Sequence, residues 1–394
     1  MRRLMIVLPV LAVLFSEKMF FVAKAGGIFS ENAGSSRDVY YTSETEDLLG
    51  ELDFSEISSF LEETGEVQVS FEDVVEALLG GGEIPYEKVG DYIRNLIFDG
   101  FAENQNLVIM LIVVSLAFSI LKNYAKNFSN SYLSEICFLM CYSFMMVLLL
   151  KSFSVMHETV LQTSETMTTF MKLLVPTYCM AISFSLNINS SAAVYTLIFT
   201  AIYLVEWLIR YLLVPLVQVY VIVEFLNHLM EEERFHRLSA LIADLVRLIL
   251  KTAVAFVLGI NLIQGMIAPA MDRLTENTVA KTIQMVPGIG NVVSNMGQIF
   301  LSSALVIKNC IGAAALLILI LLCVIPFCKM FFLALLYKFL SAVIEPVSDK
   351  RLSGGMNGIA NGGMFYLKIL NTCLMMFFLT IALSSAATGL GVGG

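Results

Sequence analysis

An all-α, polytopic membrane helical bundle is the fold class this sequence predicts, and three observations predict it. Of 394 residues, 58% are hydrophobic and only 14% charged, with a mean hydropathy of +0.80; soluble domains carry roughly 25% charged residues. Apolar runs recur along most of the chain, the longest over 309–328, and a spanning helix needs about 20 such residues. Charge is also segregated. Between 26 and 105 there are nineteen acidic and three basic residues, a net of −16, whereas beyond 105 thirteen acidic and seventeen basic residues give +4. The expected architecture is about 6–8 spans with a small exported N-terminal helical domain and amphipathic interfacial helices.

Three parts follow: a signal peptide over 1–25, an acidic exported helical segment over 26–105, and a multi-span membrane domain over 106–394. The first has Arg2 and Arg3, an apolar stretch over 4–15 and an Ala23-Lys24-Ala25 site, the pattern of a cleaved secretory signal. The second begins with a polar tract to Thr45. A helix over 53–63 then ends at Gly65. Ser70-x-x-Asp73 resembles a capping box that opens a helix over 71–79, stopped by Gly80-Gly81-Gly82. Pro85 starts an amphipathic helix to Ile97. A segment this small has little core of its own and needs a partner or a membrane surface to order fully.

The first span is 107–121. Lys122 and Lys126 follow it, which places that loop inside by the positive-inside rule. A second span covers 132–150. From 152 to 174 the chain is rich in Ser and Thr, with Met156, Val160, Met167, Phe170 and Leu174 at helical spacing, which predicts an amphipathic helix on the outer side. The run at 175–186 is broken by Pro176. Runs at 192–207 and 211–226 follow almost without a loop. A second amphipathic helix occupies 228–251, a span 252–270, and a third amphipathic stretch 272–302.

Candidate functional residues are polar groups inside these runs and glycines between them. Glu206 and Arg210 are four apart and share a helical face; either they pair at a membrane interface or they line a polar path. Glu224 is a lone acid in an apolar run, by default a functional candidate, with snorkelling to the interface as the other reading. Asn261 and Gln264 are expected to hydrogen-bond between helices. Pro287, Gly288 and Gly290 form a turn between two surface helices. Glycines 354, 355, 358, 362 and 363 suggest a hinge or a tight re-entry, centred on Gly358. They lack the spacing of a phosphate-binding loop. Lys308, Lys338 and Lys368 sit in or beside apolar runs, and a lysine at the bilayer centre costs roughly 3 kcal/mol. Either each snorkels from a helix end or they face a water-filled passage. Lys350 and Arg351 fall outside if every run spans, which suggests that a run between 330 and 344 is re-entrant or that the number of spans differs by one.

No cofactor or metal is expected. The seven cysteines form no C-x-x-C pair, and His157, His228 and His236 match no metal spacing. No basic patch points to nucleic acid. H-E-x-x-H, G-x-S-x-G and paired intramembrane aspartates are absent from the sequence, so no catalytic residue is assigned.

The exported acidic segment, the multi-span body and the series Gly265-Met-Ile-Ala-Pro-Ala270, Pro287-Gly-Ile-Gly-Asn291, Val306-Ile-Lys-Asn-Cys-Ile-Gly312 and Pro346-Val-Ser-Asp-Lys-Arg351 resemble the stage III sporulation protein AE family of endospore-forming bacteria. The resemblance implies a non-enzymatic subunit of a multiprotein channel or secretion-like complex. It implies multi-pass insertion in the mother-cell membrane around the forespore. Its implied partners are the other membrane subunits of that sporulation complex, a forespore-side partner and the lipid bilayer; a homo-oligomer is compatible with it. The alternative from the residues alone is a self-sufficient transporter or permease, since transporters build midplane sites from broken helices.

Overall fold

The computed structural model describes residues 48–65, 70–80, most of 109–120, 131–184, 188–229, 234–283, 290–346 and 350–389; over 264–302 it describes the backbone alone. The signal peptide, the 85–97 helix and Pro287 and Gly288 lie outside the described residues. The described residues form helices and no strand. They are α1 (Ser55–Thr64), α2 (Phe71–Gly80), α3 (Ser131–Ser183), α4 (Ile188–Trp207), a π-helical segment (Leu208–Leu213), α5 (Val214–Leu229), α6 (His236–Ile283), α7 (Gly290–Ile344) and α8 (Lys350–Gly389).

The first N-terminal helix follows its local signals. Asp53 Oδ1 accepts from the Ser55 N–H at 2.9 Å and from its hydroxyl at 2.6 Å, which serves orphan donors at the start of α1. The helix ends where Gly65 takes φ +64°, a left-handed conformation that glycine adopts at no steric cost. Phe54, Ile57, Leu61, Phe71 and Val75 are all buried. Part of that burial is against the bundle: the Phe71 ring lies 6.4 Å from that of Phe170 on α3, and Thr177 on α3 donates to the Asp53 carbonyl at 3.1 Å.

The long helices depart from expectation by being continuous. The span at 132–150, the amphipathic helix at 152–174 and the broken run at 175–186 are one helix, α3, of 53 residues. Pro176 lies inside it. Likewise 303–326 and the run expected to re-enter at 330–344 belong to α7, which continues through Pro326. Proline removes one i→i−4 bond and crowds the carbonyl one turn back. Membrane helices tolerate this because neighbouring helices re-satisfy the freed groups. The amphipathic stretch expected over 228–251 starts on the last turn of α5 and has its 236–251 part in α6, which continues without a break through the expected 252–270 span.

Proline leaves its mark instead at α4 and α5. Val214 donates its N–H to Ile209, five residues back, closing the π-helical segment just ahead of Pro215. The wider turn gives the Pro215 ring room beside the preceding carbonyls. The two runs are therefore one continuous rod rather than a helical hairpin.

Contacts fix the directions. α3 runs antiparallel to the α4–α5 rod, from Cys179 with Ser191 at one end to Tyr142 with Phe225 at the other. α7 runs antiparallel to α8, since Lys308 reaches Ser385 and Ser341 reaches Ser353. α6 runs parallel to α8, since Arg247 lies by Phe365 and Asn261 by Thr380. α8 is the centre, packed on α3, α5, α6 and α7. One apolar core includes α1 and α2 with the bundle. Among the described residues four helical stretches are long and apolar enough to cross a membrane: Leu139–Ser183, Ser191–Leu229, Ser303–Ile344 and Lys350–Ser385. Several runs expected as separate spans are thus joined.

Candidate functional site

The glycines at 354–363 correct the sequence reading most sharply. They form no hinge or loop; they are interior residues of α8. Gly354, Gly358 and Gly362 recur every four residues, so they lie on one face of the helix. That face crosses α5. A Cβ on Gly354 would collide with the His228 ring, one on Gly358 would come 2.7 Å from Glu224 Cγ, and one on Gly362 would collide with Val221 and meet Phe153 at 3.0 Å. Gly355 and Gly363 face α3, where their added Cβ atoms would meet the Tyr142 hydroxyl at 3.4 Å and the Met156 sulfur at 2.7 Å. This is the small-xxx-small pattern by which membrane helices bring their backbones together.

Polar side chains hold the α5 side of this crossing against α3 and α6. Glu224 accepts a hydrogen bond from the Ser239 hydroxyl on α6. His228 Nδ1–H donates to the Glu224 carbonyl at 2.8 Å, and the Tyr142 hydroxyl donates to the Phe225 carbonyl at 2.8 Å. Asn227 Oδ1 accepts from the Phe235 N–H at 3.0 Å, tying the last turn of α5 to the turn that leads into α6. Glu224 therefore has an interhelical partner and sits beside Gly358, two candidates that the structure does bring together.

A second polar group lies two to three turns further along. His157 Nδ1 on α3 is 3.1 Å from the Gln218 amide nitrogen on α5 and 3.2 Å from the Tyr366 hydroxyl on α8. Phe153 stacks on Tyr366 at 5.1 Å. The sequence reading did not single out Gln218 or Tyr366. Their signal was only that each is polar in an apolar run.

A third group lies toward the opposite end. Lys308 is wholly buried and its ammonium donates to the Ser385 carbonyl at 3.2 Å. The Ser385 hydroxyl donates to Asn309 Oδ1 at 2.8 Å. Asn261 donates to the Val257 carbonyl at 2.8 Å and to the Thr380 hydroxyl at 3.4 Å, the interhelical bond expected of it. Gln264 is on α6, with its side chain outside the described set. Lys338 and Lys368 are exposed, so the three lysines do not line one passage. Snorkelling fits the exposed pair and fails for Lys308.

The Glu206–Arg210 pairing is also corrected. Glu206 Oε2 is 2.7 Å from Lys172 Nζ on α3, and that ammonium lies 4.9 Å from the Tyr203 ring centroid. Arg210 is exposed on the π-helical segment. The sequence offered a partner four residues away, whereas the antiparallel packing of α3 on α4 delivers one thirty-four residues away. Gly290 is the first residue of α7; the turn expected at Pro287 and Gly288 lies outside the described residues.

Among the described residues no group of three His, Cys, Asp or Glu side chains is placed to hold a metal ion. What these elements do together is mechanical: the glycine face seats α8 on α5, and two polar groups further along tie α8 to α3, at Tyr366, and to α6 and α7, at Thr380 and Ser385. Comparison with known proteins agrees with the whole-chain pattern. No solved structure matches the chain. It is 24% identical over 296 residues to stage III sporulation protein AE of Bacillus subtilis (strain 168), covering 75% of this chain and 74% of the relative. The family described as stage III sporulation protein AE matches residues 69–388, from just ahead of α2 to the end of α8, and the chain belongs to that family.

Proposed function

We propose that the chain is a non-enzymatic integral membrane subunit of a channel or secretion-like complex that joins mother cell and forespore during sporulation. The observation that carries this reading is the family match over 69–388, which takes in the whole helical bundle. The bilayer-length helices supply the means of insertion. α1 packs on the C-terminal half of α3, and α2 packs on α7 while touching α3 through Phe71 and Phe170; that half of α3 is polar and exposed at Glu158, Gln162 and Glu165. That polar half and the acidic helices form a surface beyond the apolar half of α3, suited to partner subunits on the exported side. The membrane would be the mother-cell membrane around the forespore, and the partners would be the other subunits and a forespore-side protein.

The test has two arms. In a spore-forming host, loss of the chain should block sporulation after engulfment, and the tagged chain should co-purify with other membrane subunits of the same complex. Purified chain in liposomes should show no solute flux by itself. Flux from the isolated chain, with sporulation intact when its co-purifying subunits are removed, would instead establish a self-sufficient transporter.

A further inference from the structure

The exposed lysines point to a ligand. Lys368 projects from α8, the central helix, between its flanking neighbours α6 and α7. Among the described residues those two make at most marginal contact with each other, and Lys368 is exposed between them. Arg247 enters from α6. Its guanidinium carbon lies 5.8 Å from the Phe365 ring centroid, and Lys368 Nζ lies 5.2 Å from the same ring. Lys338 enters from α7, and Arg247 and Lys338 are the two cations that act electrostatically on Lys368. The nearest acid in the contacts of the three is Asp244, 2.7 Å from Arg247 and itself 74% exposed. Lys251, one turn on along the same stripe of α6, is exposed as well. Like charges gathered from three helices repel one another unless an anion sits among them.

We propose that this cation cluster binds the phosphate of an anionic phospholipid headgroup, held by Arg247, Lys338 and Lys368. Height supports a lipid. On α8 no charged residue occurs over 352–367 or over 369–389, so Lys368 marks the border between two uncharged stretches of about 24 Å and about 32 Å. Whichever stretch meets acyl chains, the cluster stands at its rim, where headgroups lie. The flanks support a lipid over a free anion. Leu245 and Leu248 on α6, and Phe339 and Val343 on α7, are exposed beside the cations and offer apolar surface to acyl chains. Basic clefts between helices are a recurrent form of anionic headgroup site. Phe365, buried beneath two of the cations, holds them over an aromatic face.

The experiment uses purified full-length protein in a neutral detergent, with the thermal midpoint followed against added short-chain phosphatidylglycerol. Phosphatidylglycerol should raise the midpoint saturably, while phosphatidylcholine and inorganic phosphate should not. Removing cations in R247Q, K338Q and K368Q should weaken the apparent affinity about fivefold for each, and the triple variant should lose the response. K368R should keep it, and K151Q, which removes an exposed cation on α3, should leave it unchanged. If the triple variant does not fold, K368Q alone decides. An unaltered response in the Gln variants, an equal loss in K151Q, or an equal shift from phosphatidylcholine would overturn the site. An equal shift from inorganic phosphate would replace the lipid with a soluble anion.

Discussion

Two helices carry repeats with the same period and opposite content. On α8 the repeat is Gly354, Gly358, Gly362, and it faces α5 at close range. On α4 and the π-helical segment it is Tyr195, Phe199, Tyr203, Trp207, Tyr211. That ladder faces outward: Tyr203, Trp207 and Tyr211 are 56%, 57% and 68% exposed, and adjacent rings lie 4.6 Å and 6.0 Å apart. A four-residue period therefore says only that side chains share a face. The size of the side chains decides whether the face approaches another backbone or fills the surroundings.

Substitutions that exchange the two contents test this comparison, and the largest effect belongs to the glycines. Gly362→Leu should cost about 3 kcal/mol or more through overpacking, seen as loss of folded protein in detergent. Even Gly362→Ala should destabilise. Gly259→Ala on α6 should do the reverse and stabilise by about 0.5–1 kcal/mol, because nothing lies within 4 Å of its added Cβ. If both alanines shift the thermal midpoint the same way, the close crossing at Gly362 is wrong.

Next in size is Lys308, buried under the end of α8. Lys308→Ala should cost about 2–4 kcal/mol by leaving a cavity, and Lys308→Met should recover most of it by refilling the volume. Equal losses in the two variants would mean that the ammonium, and not the stem, holds that end together.

Smaller again is the Lys172–Glu206 pair. It is about one-third exposed on each side, so a double-mutant cycle with Lys172→Met and Glu206→Gln should return about 0.2–1 kcal/mol. The same cycle between Glu206 and Arg210 should return nothing measurable. The smallest effect is expected at Tyr203→Leu, within about 0.5 kcal/mol in folded stability. A large loss there would show that the aromatic ladder is a packed surface.

How much of this was legible in the sequence varies by element, and the reasons are physical. The end of α1 was legible because Gly65 acts locally. The apolar runs were legible because burial in lipid or protein demands them over many residues. Continuity through Pro176 and Pro326 was not: proline breaks helices in water, whereas packed neighbours carry α3 and α7 across it. The glycine face was misread for a related reason. Glycine punctuates loops in soluble chains, and the three-fold recurrence at spacing four in 354–362 was the available sign that it did not here. Glu206 was correctly picked out and wrongly paired, because nothing local encodes a partner delivered by the packing of α3 on α4. The convergence of Lys338 and Lys368 with Arg247 likewise depends on α8 lying between α6 and α7, which periodicity cannot reveal.

The length of α3 has a further consequence. Its 53 residues extend about 80 Å, against a hydrocarbon core of about 30 Å. One unbroken helix therefore joins the seat of α1 and α2 near Phe170 and Thr177 to the Tyr142–Phe225 contact at the glycine crossing. Such a rod acts as a lever. Between Phe170 and Tyr142 the arm is about 42 Å, so a tilt of about 5° pivoted at one contact moves the other by about 4 Å. Force applied to the N-terminal helices is thus delivered to α5 and α8 without any intervening joint.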